Sequence, residues 1–365
     1  MKNSIEIFKL IKPFKKKINI EGDKSLSIRW ALVASQATGK SKSFNLLKSE
    51  DVIDTLECLK KLGIKIKLTN NFCEITGNGL NGFKYKKNVI LNAGNSGTLS
   101  RLIMGLLVHC KNQIKIIGDK SLSKRDFLRV TTPLKLFGAS FKTNSGKLPI
   151  TITGTNYSKP IKYSEKKGSA QCKSTVMLAA LNTEGETYIK AKKSRDHTEI
   201  IFKHLNLPIK ITKKKKFDLI KIKGKKKIKP FNYKIPSDIS SSAFFIVLTA
   251  LSEKSELNIK DVNINPTRTG VLKILKMMGV KLEKNAPFVG KTVMESASVY
   301  PGVHFMPIAI KKVGSDNTII PRGDTVFHSG DHIVFMTEPG GEEELLKLSG
   351  QNNGEIKNVM ILDVY

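Results

Sequence analysis

Four apolar stretches of helical length each begin at a short polar turn that is led by Gly or Pro and contains Ser, at a spacing of roughly 70 residues. The turns are Gly22-Asp23-Lys24-Ser25, Gly94-Asn95-Ser96-Gly97, Gly168-Ser169-Ala170-Gln171 and Pro236-Ser237-Asp238. A strand and a second helix follow. Each copy then reaches an end resembling Leu-x-x-Leu-Gly and another strand, at Leu59 to Ile66, Leu134 to Phe141, Leu205 to Ile211 and Leu275 to Leu282. Two markers in phase predict four copies of one α/β unit. From Ala286 the pattern changes to short alternating runs bounded by Gly, Pro and Asp, which predicts a small β-rich α+β domain closed by a helix over Glu342 to Leu348.

The polar positions on this pattern are as regular as the apolar ones. Ser25 and Arg29 are four apart and share one face at a helix start, as do Gly97 with Arg101 and Ser169 with Lys173. A helix N-terminus offers unpaired N–H groups and the positive end of the macrodipole, so a cation one turn in makes an anion site. The fourth copy, Ser237 to Phe245, has no cation there. Anion binding is therefore expected on copies one to three, with copy four in a separate body.

Charge sharpens the break seen at the tail. The 365 residues carry a net charge of +32, with +35 in residues 1–283 and −3 in residues 284–365. Runs such as Lys213 to Lys216 and Lys225 to Lys227 lack interleaved aromatics or a nucleic-acid module, so they read as solvated surface and no nucleic-acid partner is expected. Cys58, Cys73, Cys110 and Cys172 show no zinc spacing and read as reduced thiols, Cys172 being the one near a Gly-Ser turn. His109 and His204 read as core or surface groups, and the segment around His197 as a helix start capped by Asp196 or Thr198. There is no signal-like segment in Met1 to Ile20 and no apolar run long enough for a membrane, so a cytoplasmic protein without membrane insertion is expected. No metal and no cofactor are expected.

Six motifs in order carry a resemblance. They are Gly22 to Arg29, Asn95 to Thr98 with Arg101, Gly118 to Arg125, Gly168 to Ser174, Ser194 to Glu199, and Asn265 to Gly270. Over residues 5–283 the chain resembles the 3-phosphoshikimate 1-carboxyvinyltransferase (EPSP synthase) family. The resemblance implies an inside-out α/β repeat body of the enolpyruvyl transferase type, with four of six repeats present. It implies that residues 1–20 and 236–283 form part of one domain and residues 21–235 a second, three-repeat domain, with the family's active site in the cleft between. It implies transfer of the enolpyruvyl group of phosphoenolpyruvate to the 5-hydroxyl of shikimate 3-phosphate.

Carried over motif by motif, the resemblance makes Lys24 the catalytic cation touching both substrates. Shikimate 3-phosphate falls to Lys24, Ser25, Arg29, Ser169, Ala170, Gln171 and Arg195. Phosphoenolpyruvate falls to Lys24, Gly97, Arg125 and Gln171. Small phosphorylated carboxylates are thus the expected partners, and clustered Lys and Arg suit them. For Arg195 an ion pair with Asp196 or Glu199 is an equal reading, and Asn265 to Gly270 reads as a structural turn and helix start.

Two departures stand out. The family has Pro after the Lys124-Arg125 pair, where this chain has Asp126, and the family's two further repeats, which carry its catalytic carboxylates, have no counterpart after Leu282. Little turnover is expected of such a chain, and self-association through the uncovered fourth repeat is expected. The tail, residues 286–365, resembles the TrkA-C/RCK-C domain of potassium-uptake regulators through Ile320-Pro321-Arg322-Gly323-Asp324 and Gly330-Asp331-His332-Ile333-Val334. This resemblance implies an alternative, a ligand-binding regulatory fusion. Ile356 to Leu362 reads as a final strand with no nucleotide loop after it.

Overall fold

The computed structural model describes residues 12–252, 254–277, 294, 305–312, 318–326, 328, 332–337 and 360–362. The chain divides into two compact units, one spanning Glu21–Pro236 and the other made of Met1–Ile20 with Ser237–Tyr365.

The unit Glu21–Pro236 contains three copies of one design. In the first, helix α1 (Lys24–Ala34) leads to strand β2 (Thr38–Phe44), helix α2 (Glu50–Lys61) and the hairpin β3 (Lys65–Leu68) and β4 (Phe72–Asn78). The second runs β5 (Val89–Asn92), α3 (Gly97–Leu107), β6 (Ile114–Ile117), the short α4 (Lys120–Ser123), α5 (Leu128–Leu136), β7 (Ser140–Asn144) and β8 (Lys147–Thr153). The third runs β9 (Lys162–Glu165), α6 (Ala170–Asn182), β10 (Glu186–Lys192), α7 (His197–His204), β11 (Ile209–Lys213) and β12 (Phe217–Lys223). Each copy makes a four-stranded sheet, β13-β2-β4-β3, β5-β6-β8-β7 and β9-β10-β12-β11, where β13 is Asn232–Lys234. In every sheet the first pair is parallel and the rest antiparallel. The first copy takes its parallel edge strand from the far end of the unit, so the third copy's exit closes the first copy's sheet.

Local chemistry explains both sequence markers. The turns end in N-caps: Asp23, Ser96 and Ser169 accept from the backbone N–H of Leu26, Leu99 and Cys172 at 3.0, 3.2 and 3.3 Å. Before α6, Gly168 takes φ +72° while the Glu165 carboxylate accepts from its N–H at 2.7 Å. The second marker is the left-handed residue that ends the outer helix. Gly63 (φ +82°), Gly138 (φ +107°) and Asn206 (φ +51°) occupy it after α2, α5 and α7.

The first helices are apolar nearly all round because they are buried nearly all round. Nine of eleven residues in α1, ten of eleven in α3 and eleven of thirteen in α6 are buried. The outer helices are amphipathic instead: α2 buries Val52, Thr55, Leu56, Cys58 and Leu59, with Glu50 and Asp51 in its first turn and Lys60 and Lys61 in its last. The strands alternate, as in β8, where Leu148, Ile150 and Ile152 are buried. One continuous core from Leu26 to Ile235 results. Lys213 to Lys216 form the exposed turn of the β11–β12 hairpin, which agrees with solvated surface.

The other unit contains β1 (Lys15–Ile18), α8 (Ile239–Leu251), β14 (Glu256–Ile259) and α9 (Gly270–Met277). The α8 start copies that of α1: Ser242 donates to the Asp238 carbonyl at 2.9 Å, as Ser27 does to Asp23. Yet only four of thirteen α8 residues are buried. Phe244 and Leu251 are each 80% exposed, and Phe245, Val247 and Leu248 partly so. Asn265 accepts from the N–H of Thr267 and Arg268 pairs with Asp238 at 3.2 Å, which makes this motif a turn before α9.

In the tail, β15 (Phe305–Lys311) pairs antiparallel with β16 (Thr318–Ile319) and β17 (His332–Thr337), the β-rich character expected. The last strand, β18 (Met360–Leu362), is parallel to β14, which also pairs with β1. The helix expected over Glu342 to Leu348 lies outside the described residues.

Candidate anion-binding site

Each of the three buried helices brings its first turn, and the cation one turn in, to the site. The cations have different fates. Arg29 is buried, donating from Nε to the Thr198 hydroxyl at 2.9 Å, from Nη1 to the Ser25 carbonyl at 3.0 Å and from Nη2 to Ser174 at 3.3 Å. Thr198 in turn donates to Ser174 at 2.7 Å.

Arg101 is 5% exposed and donates from Nη1 to the Gly97 carbonyl at 3.1 Å and to Gln171 Oε1 at 2.8 Å. Its guanidinium lies 5.0 Å from the Phe127 ring centre, and its Nε is buried without a hydrogen-bond partner. Burial first, then the charges of Arg129 and Arg125, pull its pKa below the usual arginine value. A buried guanidinium bonded only to neutral oxygens has charge left for an anion.

Lys173 departs from the expectation that all three cations serve anions. It is fully buried and paired with Glu199 at 2.5 Å, itself 4% exposed at the side chain. Burial raises the Glu199 pKa against the attraction of Lys173.

The remaining predicted residues fall around these. Lys24 is half-exposed at the start of α1, 2.9 Å from Asp51 on α2. Asp23, not Ser25, is the α1 cap. Gln171 uses its amide nitrogen on Thr98 at 3.1 Å, which fixes its orientation between α3 and α6. Arg125, exposed, donates to Asn95 at 2.9 Å. A Cβ at Gly97 would lie 2.8 Å from Arg101 Nη1 and 2.9 Å from Arg125 Nη1, so both guanidinium groups converge on that glycine. Asp126 accepts from the N–H of Leu128, a local role at the start of α5. Ser169 and Ala170 open α6, half-buried, and Arg195 is exposed on the loop into α7. Asp196 stands at the α7 cap without a side-chain cap bond, so the capping expected there is not made by Asp196.

Thr198, Ser174 and Thr98 lie inside the motifs quoted above but were given no site role from sequence. Their partners are 24 to 169 positions away, and no local spacing pairs them. Arg101 was legible through its phase with Arg29. Cys172 is buried and its pKa raised by burial, which argues against a reactive thiol.

Residues 8–320 match the family model described as EPSP synthase (3-phosphoshikimate 1-carboxyvinyltransferase). The chain belongs to the EPSP synthase family. It is 43% identical over 266 residues to the 3-phosphoshikimate 1-carboxyvinyltransferase of Vesicomyosocius okutanii, covering 73% of this chain and 60% of that protein. It is 38% identical over 315 residues to that of Caldicellulosiruptor saccharolyticus, covering 84% and 70%. A solved EPSP synthase from Acinetobacter baumannii superposes with a TM-score of 0.69 at 38% identity, covering 75% of this chain and 61% of that one. The chain thus spans about 60% of the length of several relatives it matches.

The family match runs through residue 320, past the break placed at residues 283–286. It therefore takes in residues 286–320 of the segment assigned to a TrkA-C/RCK-C domain, and these comparisons lend that second resemblance no support. Among the described residues no helix is long and apolar enough to cross a membrane, and no group of His, Cys, Asp and Glu is arranged to hold a metal ion.

Proposed function

We propose that the unit Glu21–Pro236 binds shikimate 3-phosphate and the phosphate end of phosphoenolpyruvate, as part of the enolpyruvyl transfer of the shikimate pathway. In that reaction the 5-hydroxyl oxygen bonds to C2 of phosphoenolpyruvate as the hydroxyl proton leaves and the C2=C3 π pair takes a proton at C3. The tetrahedral adduct then loses inorganic phosphate by C–O cleavage while a C3 proton leaves, which restores the double bond. The observation that carries the reading is the convergence of Arg101 and Arg125 on Gly97, with Gln171 bonded to the same Arg101, in a chain of this family. Lys24 is assigned the reacting oxygen's developing charge, Arg29 and Ser25 the shikimate carboxylate and ring, and Ser169, Ala170, Gln171 and Arg195 the shikimate 3-phosphate. Gly97, Arg125 and Gln171 are assigned phosphoenolpyruvate.

Trp30, the chain's single tryptophan, is buried beside Arg29 and serves as reporter. Titration of the full chain with shikimate 3-phosphate should give a saturable fluorescence change that Lys24→Ala weakens at least tenfold. No change in fluorescence or in calorimetric heat would overturn the reading.

The exposed α8 residues Phe244 and Leu251 support a second proposal, that the chain self-associates through this helix. The equivalent positions of the first copy, Arg29 in α1 and Gln36 just past its end, are buried.

A further inference from the structure

Two links join α6 to the first turn of α7, and they sit on adjacent residues. Lys173 pairs with Glu199 at 2.5 Å, and the next residue of α6, Ser174, accepts from Thr198, which precedes Glu199, at 2.7 Å. The second link is also where Arg29 rests: Thr198 accepts from its Nε and Ser174 from its Nη2. A hydroxyl pair alone is a pliable support, because each Cβ–O bond can rotate. A fully buried ion pair one residue away restricts the two helices to a single register, since sliding would leave a charge uncompensated in the interior.

We infer that Lys173 and Glu199 are positioning residues, which set the Thr198–Ser174 seat and so aim the Arg29 guanidinium at the substrate. This rests on the reading of Arg29 as a shikimate 3-phosphate ligand. Lys173 has no direct role with an anion in this scheme; its charge is spent on Glu199. A purely structural pair would contribute to stability and leave the affinity of a folded protein unchanged.

The test is a double-mutant cycle in the full chain, read by Trp30 fluorescence with shikimate 3-phosphate as ligand and melting temperature in parallel. Glu199→Gln should weaken binding about tenfold in an otherwise unaltered chain and have no further effect in an Arg29→Ala background, because its action runs through Arg29. The paired change Lys173→Met with Glu199→Leu replaces the ion pair by apolar groups of similar size and guards against a single variant that fails to fold. It should restore the melting temperature while binding stays about tenfold weak. Wild-type affinity in that stable double variant, or additive losses with Arg29→Ala, would overturn the inference. A wild-type chain that does not bind shikimate 3-phosphate would instead overturn the functional reading, and the inference with it.

Discussion

Arg101 donates from Nη1 to the side-chain oxygen of Gln171 at 2.8 Å, joining the starts of two helices that are 70 residues apart in sequence. The bond aligns the amide of Gln171, and the guanidinium that makes it is buried with no carboxylate among its hydrogen-bond acceptors. Bringing an anion to this place relieves an electrostatic cost already present in the fold.

Inorganic phosphate should therefore raise the melting temperature of the wild-type chain by a few degrees. Ligand at about a hundred times its dissociation constant stabilises by roughly 2.7 kcal/mol. Arg101→Met should lose most of that phosphate-dependent increment. An increment retained in full, measured by differential scanning fluorimetry across a phosphate series, would place the anion elsewhere.

Gly97→Ala should act through the two guanidinium groups. Its Cβ would come within 2.9 Å of Arg101 Nη1 and Arg125 Nη1, and the buried Arg101 has less room to withdraw than the exposed Arg125. Phosphoenolpyruvate affinity in the presence of shikimate 3-phosphate should fall about tenfold, roughly 1.4 kcal/mol. Calorimetric titration of shikimate 3-phosphate alone should change much less.

The acid side of the stability profile should carry a His109 component. Burial lowers the His109 pKa from 6.5 to about 4, so the unfolded chain takes up this proton first as pH falls. The contribution is intact above pH 6.5 and is lost as pH drops from there toward 4. His109→Gln removes the titration, and its melting temperature should decline less steeply than wild type across that window.

The apolar face of α8 should govern self-association. Phe244→Ser combined with Leu251→Ser removes the two most exposed large apolar side chains of that helix. Sedimentation velocity should show concentration-dependent association in the wild type and a marked reduction in the variant. A wild-type chain that sediments as a monomer throughout would end this proposal.

What the sequence determined was local. The helix starts were legible because an N-cap needs a short polar side chain and a particular turn, and Asp23, Ser96 and Ser169 supply both. The ends were legible because a left-handed helix-ending residue is usually Gly and sometimes Asn, as at Gly63, Gly138 and Asn206. The apolar helices between these marks implied burial, and four copies in phase implied a repeat fold.

Tertiary structure decided what each cation does. Arg29, Arg101 and Lys173 each follow a turn residue by four, and that spacing gave them one role, although they stand six, five and four residues past the caps Asp23, Ser96 and Ser169. Their partners are Thr198 and Ser174, Gln171, and Glu199, which come from distant parts of the chain. A charge's role depends on whether its surroundings neutralise it, and those surroundings exist only once the helices have packed. For the same reason two nearly identical helix starts at Asp23 and Asp238 lead to a buried helix in one unit and an exposed apolar face in the other.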